Sequence, residues 1–94
     1  MLFYVKLQLF MDKMGEMMEK SSKGEVPSPA KYSTIYCSSG KPGLGYTIFN
    51  VESREQLDNI LLKLKPYSQV YEIDHIVTLD EFQAKMSYSK GKDD

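Results

Sequence analysis

A small α+β sandwich with the element order β-α-β-β-α-β is what this sequence predicts, and three observations carry the prediction. Period-two alternation marks strands, most clearly at residues 2–10 and 69–77. Residues 53–65 carry the i, i+3, i+4, i+7 apolar spacing of a helix, behind their own capping signal. The chain has 94 residues, enough for one domain and one core.

The elements follow in order. In residues 2–10, LFYVKLQLF, the side chains of Phe3, Val5, Leu7 and Leu9 point one way, and those of Tyr4, Lys6, Gln8 and Phe10 the other. Residues 11–23 change period: Met11, Met14, Met17 and Met18 predict a short helix with a buried methionine stripe. Asp12 is placed to cap its first turn, and Gly15 weakens it by about 1 kcal/mol relative to alanine. Residues 21–31, SSKGEVPSPAK, read as a loop that Pro27 and Pro29 keep extended. A second strand is expected over 31–39, a turn at GKPG (40–43) and a third strand over 44–51. The run GKPGLG lacks the GxxxxGK[ST] spacing of a phosphate loop and joins strand to strand, so it reads as a hairpin turn.

Ser53 and Gln56 form a capping box, after which Leu57, Ile60, Leu61 and Leu64 make an apolar stripe. Lys63 and Lys65 suit the negative end of the helix dipole, and Pro66 stops the helix. A fourth strand spans 69–77. Thr78 and Glu81 repeat the capping-box spacing, and Leu79, Phe82 and Met86 predict a short C-terminal helix. Residues 1–88 therefore read as a single domain and residues 89–94, SKGKDD, as a disordered tail.

For so short a chain this order is most economically closed as a ferredoxin-like sandwich. Its four-stranded antiparallel sheet has the first and third strands inside, the fourth beside the first, and both helices on one face. Phe3, Val5, Leu7 and Leu9 should then meet Leu57, Ile60, Leu61 and Leu64. The opposite face, with Tyr4, Lys6, Gln8 and Phe10, is too apolar and aromatic to stand bare, which points to a second sheet packed against it in a homodimer or larger homo-oligomer.

Composition narrows the function classes. Twelve basic and thirteen acidic residues leave a net charge of −1, without the clustered positive charge that nucleic-acid binding needs. Seven tyrosines could stack on RNA bases, but the aromatic and basic strand motif of RNA-recognition modules is absent, so no nucleic-acid partner is expected. The single cysteine, Cys37, allows neither an internal disulfide nor a zinc site, and is read as a small buried apolar residue in a cytoplasmic protein. Lys6 and Gln8 interrupt the apolar start, which lacks the features of a signal peptide, and no run approaches the roughly 18–20 apolar residues of a membrane span. No membrane, metal or cofactor is expected.

The stretch YEIDHIVTL (71–79) holds the only histidine, His75, next to Asp74. Alternation puts Glu72, Asp74 and Ile76 on one face and Tyr71, Ile73, His75 and Val77 on the other, so without a bulge adjacent Asp74 and His75 cannot form a dyad. His75 is expected half-buried at the edge of the core. Glu72 and Asp74 share the face of Tyr4 and Lys6, where Tyr46 and Asn50 join them if the third strand has matching parity. One reading of this cluster is a strand-tying ion pair or interface contacts. The other is a carboxylate tuned by burial and by Lys6 to shuttle a proton. The candidate catalytic residues are Lys6, Glu72 and Asp74, and the candidate ligand-binding residues are Tyr4, Tyr46 and Asn50.

The opening MLFYVK and the later run YTIFNVESREQLDNILLKL resemble muconolactone isomerase and its relatives in the dimeric α+β barrel superfamily. Those proteins share a similar Met-Leu-Phe-x-Val-Lys strand, a tyrosine-bearing strand leading into a capped helix, and a short acidic last strand. The resemblance covers roughly residues 1–10 and 45–76, while residues 11–44 match poorly. It implies a ferredoxin-like subunit whose sheet pairs with another, and a cofactor-free pocket in which a proton moves within a small unsaturated lactone. Lys6 matches the family's strand lysine, while Tyr4 stands where the isomerase carries histidine. The functional expectation is a small-molecule-binding dimer acting as a cofactor-free isomerase on an apolar or unsaturated acid. The alternative is a non-catalytic ligand-binding or assembly module.

Overall fold

The computed structural model describes residues 1–27 and 31–93, with side chains described through Met86. Residues 28–30, within the expected proline loop, lie outside the described residues. The elements are β1 (Leu2–Leu9), a 3-10 turn (Met11–Lys13), α1 (Met14–Ser22), β2 (Ser33–Cys37), β3 (Leu44–Asn50), α2 (Arg54–Leu64), a second 3-10 turn (Lys65–Tyr67), β4 (Ser68–Ile76) and α3 (Leu79–Asp93). All strand pairs are antiparallel, in the order β2-β3-β1-β4. The chain is thus α+β, with a four-stranded antiparallel sheet and three helices, an arrangement compatible with a ferredoxin-like fold.

The alternation of β1 sets the core. Phe3, Val5 and Leu7 are buried in one cluster with Leu57, Ile60 and Leu64 of α2, and Leu9 and Leu61 pack against it half-buried. Phe49 and Val51 join from β3 and its exit, and Met17 of α1 and Val26 close the same side. Both α1 and α2 therefore cover one face of the sheet. Leu57, at 0% exposure, lies at the centre. Burying a leucine this fully contributes about 1.5–3 kcal/mol.

Local signals place α2. Ser53 is extended (φ −155°, ψ 163°) and its Oγ accepts the Gln56 amide at 3.1 Å. The Gln56 Oε1 accepts the Glu52 amide at 2.7 Å, one residue before the cap. The same device starts α3, where the Thr78 Oγ1 accepts the Glu81 amide at 3.1 Å.

The methionine stripe is half of what was expected. Met17 is buried and Met14 packs on the core, whereas Met11 and Met18 are exposed. Met11 belongs to a 3-10 turn, whose three residues per turn put it out of phase with the α-helix that follows. Met18 lies about 100° around the helix from Met17. Asp12 falls in that 3-10 turn, and the residue that caps α1 is Lys13, without a side-chain bond. Cys37, expected inside, is exposed at the end of the short edge strand β2.

Helix α3 extends further than the short helix expected, and no described residue of it belongs to the core. The radius of gyration, 16.5 Å, exceeds the roughly 13 Å of a compact domain of about 100 residues, as a projecting arm requires.

Candidate functional site on the open sheet face

The uncovered face of the sheet collects most of the residues singled out in the sequence. Lys6 of β1 lies between Tyr46 of β3 and Glu72 of β4, and Tyr4 lies between Ile48 and Asp74. Directly paired side chains on one face stand about 5 Å apart at Cβ, so Tyr4, Lys6, Tyr46, Glu72 and Asp74 form one patch. Tyr36 extends the patch across β2, opposite Tyr46. Asn50 has the right parity but sits at the far end, opposite Leu2 and exposed. It is four residues along β3 from Tyr46, about 13 Å at strand rise.

Strand β4 breaks the simple alternation once. Its pairing with β1 shifts between Lys6 and Leu7, so that Lys6 faces Glu72 while Leu7 faces Val70. Val70 and Ile73 both pack against the core, and Tyr71 and Glu72 lie between them in a bulge. The extra residue moves Tyr71 from the helix side, where alternation places it, to the open side beside Glu72. Tyr71 is exposed there, adding a further aromatic to the face. Nothing in its composition marks the stretch as a bulge, because the irregularity arises from pairing with β1.

Asp74 and His75 diverge, as alternation requires: Asp74 pairs with Tyr4 and His75 with Phe3. The His75 ring lies 5.0 Å from the Phe3 ring, centroid to centroid, on the helix side. The imidazole itself is exposed rather than half-buried, because β4 is an edge strand and no helix reaches over its end.

Among the described residues, the charges of the open face make no ion pair. Lys6 is half-buried, Glu72 and Asp74 are exposed, and no ion pair joins them. The ion pairs among the described residues are i,i+4 pairs, Glu16–Lys20 and Glu19–Lys23 around α1 and Arg54–Asp58 on α2. A strand-tying salt bridge is therefore not what holds β1 to β4. On the helix side, the Lys20 ammonium is held above its ordinary pKa, first by a hydrogen bond with the Tyr67 hydroxyl, then by the charges of Tyr67 and Glu16.

A second feature escaped sequence reasoning. An apolar cleft of about 520 Å³ lies between α2 and β4 on the helix side, walled by Phe10, Leu61, Leu62, Val70 and Ile73. Phe10, expected on the open face with Tyr4 and Lys6, lines this cleft instead, because β1 ends at Leu9 and strand alternation no longer holds at the cap of the 3-10 turn. The adjacent leucines 61 and 62 were its only sequence signal. Leu61 satisfies the core stripe, while Leu62 points past it and is 66% exposed.

These features define an α+β protein with a helix-covered core on one side of its sheet and an open, tyrosine-rich face on the other. No family model matches the chain, and no curated protein matches it in sequence. Among the described residues, no group of three or more His, Cys, Asp or Glu is placed to hold a metal ion, and no helix is long and apolar enough to cross a membrane.

Proposed function

We propose that the chain is a cytoplasmic small-molecule-binding protein. It pairs through its open sheet faces as a homodimeric α+β barrel and isomerises a small unsaturated acid or lactone without a cofactor. The resemblance to muconolactone isomerase implies that activity. The observation that carries the reading is the placement of Lys6 between Tyr46 and Glu72, at the centre of an uncovered face rich in tyrosine.

Covering this face with a second sheet would exclude water and strengthen every charge interaction on it. The Lys6 ammonium would then hold the ligand's carboxylate or lactone carbonyl. Glu72, paired directly with Lys6 across β1 and β4, takes a proton from the carbon next to that carbonyl and returns it to a different carbon. Asp74 supports the charge balance, Tyr4 and Tyr46 donate hydrogen bonds, and Asn50 contacts the distal end of a longer ligand. Positioned proton transfer of this kind contributes about 10²–10⁴-fold to rate.

Lys6→Met and Glu72→Gln, made separately, test the reading in a lactone-isomerisation assay followed by ultraviolet absorbance, with sedimentation equilibrium in parallel. Each variant is expected to lose turnover by about a hundredfold or more while remaining dimeric. Undiminished turnover removes Lys6 and Glu72 from the chemistry. A second reading, a non-catalytic ligand-binding or assembly module, is favoured by the exposure of Glu72 and Asp74 and by the missing ion pair. It predicts loss of association in both variants, with no turnover to lose.

A further inference from the structure

The geometry points to reciprocal docking of α3 from one copy of this chain into the α2–β4 cleft of a second copy. The arm has the apolar face for it: Leu79, Phe82 and Met86 recur along one side of α3 and are 69%, 53% and 57% exposed. The cleft has the matching wall in Phe10, Leu61, Leu62, Val70 and Ile73. No described residue covers either surface, and each has the chemistry to cover the other.

Tether length and charge both select a second copy over the chain's own arm. β4 ends at Ile76, and Ile73 and Val70 lie about 10 and 20 Å back along the strand. A helix rises about 1.5 Å per residue, so an arm folded back on its own chain brings Met86 only level with Ile73. Phe10 and Val70 would then lie beyond the reach of the Leu79, Phe82 and Met86 stripe. A folded-back arm also runs parallel to α2, which leaves acidic Asp80 and Glu81 at the end of the cleft where Arg54 and Asp58 already pair, and far from Lys65. An arm from another copy is free of the tether and lies antiparallel. Asp80 and Glu81 then meet Lys65, which makes no ion pair among the described residues. Lys85 meets Asp58, whose carboxylate already holds Arg54 at 2.8 Å.

The area is sufficient when the exchange is mutual. Each arm offers about 300 Å² of exposed apolar surface, and two arms in two clefts remove on the order of 1,200 Å² in total, the lower bound of a stable interface. The two contacts are related by a two-fold axis, so one arrangement satisfies both copies and closes. The cleft lies on the helix side of the sheet, so this contact does not compete with pairing through the open face.

The test is a site-specific crosslink in the full chain. Leu62→Cys and Phe82→Cys are combined with Cys37→Ser, and the protein is oxidised with oxidised glutathione and run on a non-reducing gel. Both substituted positions are exposed, so the fold tolerates them. The expected product is a covalent dimer. A crosslinked monomer overturns the inference in favour of a folded-back arm, and persistent free thiols overturn it by showing that the arm does not enter the cleft. As a second measurement, Phe82→Asp and Leu62→Asp in the native chain should each weaken self-association at least tenfold by sedimentation equilibrium, and unchanged association overturns the proposal. Tyr36→Lys, on the open sheet face, is the control. It removes sheet pairing and leaves the crosslink, so the two contacts fail separately.

Discussion

Gly43 offers a sharp test of the structure, because two separate costs meet at one residue. Its φ is +81°, and a Cβ added there would lie 2.7 Å from the backbone oxygen of Leu9 and 2.5 Å from the Gln8 Nε2. An alanine in the left-handed region costs about 1–2 kcal/mol. The Gln8 amide can swing away, but the Leu9 carbonyl is backbone and must shift. That shift strains the bond from the Leu9 amide to the Gly43 oxygen, 2.8 Å long, which docks the β2–β3 turn onto the end of β1. A weakened backbone hydrogen bond adds about 0.5–1.5 kcal/mol, so Gly43→Ala should cost about 1.5–3.5 kcal/mol in all. For a domain this size each kcal/mol lowers Tm by about 4–8 °C. The other glycines separate the causes. Gly24 has φ +76° with nothing within 4 Å of the added Cβ, so Gly24→Ala isolates the conformational cost at about 1–2 kcal/mol. Gly40 has neither a positive φ nor a near neighbour, and Gly40→Ala should be neutral or slightly stabilising. Urea unfolding of the three variants measures the series. If Gly43→Ala costs no more than Gly24→Ala, the turn does not press against β1 as described.

Further outcomes follow from single contacts. Ser53→Ala removes the oxygen that accepts the Gln56 amide and should destabilise by about 1 kcal/mol in the same urea titration. Leu57→Ala empties the centre of the core and should cost about 2–5 kcal/mol, whereas Leu62→Ala, on the neighbouring cleft wall, should leave monomer stability within about 0.5 kcal/mol. Lys20 gains its Tyr67 partner on folding, which raises its pKa, so its contribution is fully present below the ordinary lysine pKa and fades as pH rises through the folded value. Lys20→Met should therefore lower stability slightly near neutral pH and flatten the alkaline fall, so that the variant and native curves converge at high pH, as read from thermal melts across pH.

Legibility in the sequence tracked how local the physics was. The cap at Ser53 needs only the three residues after it, and the hydrogen bond is there. The helix stripe 57, 60, 61, 64 depends on 3.6-residue periodicity and meets β1 as read. Grouping Tyr4, Lys6, Glu72 and Asp74 on one face required only that strands alternate and that the first and fourth strands pair. The failures are non-local or depend on phase. The methionines at 11 and 18 match a helical spacing on paper, but a 3-10 turn offsets the first and the angular step of the helix exposes the second. His75 reads as half-buried from its apolar face-mates and Cys37 as buried from its lack of a chemical partner, and both are exposed because they sit on edge strands.

What the sequence determined by itself is the order of elements, the face each β1 side chain takes and the start of α2, because these follow from backbone periodicity and hydrogen bonds within a few residues. Only the tertiary structure decided that Tyr71 crosses to the open face, that the GKPG turn presses on β1, and that α2 and β4 leave a cleft beside an unpartnered arm. Each of these arises where two segments far apart in sequence meet, and the register of that meeting is a property of the packed pair rather than of either segment.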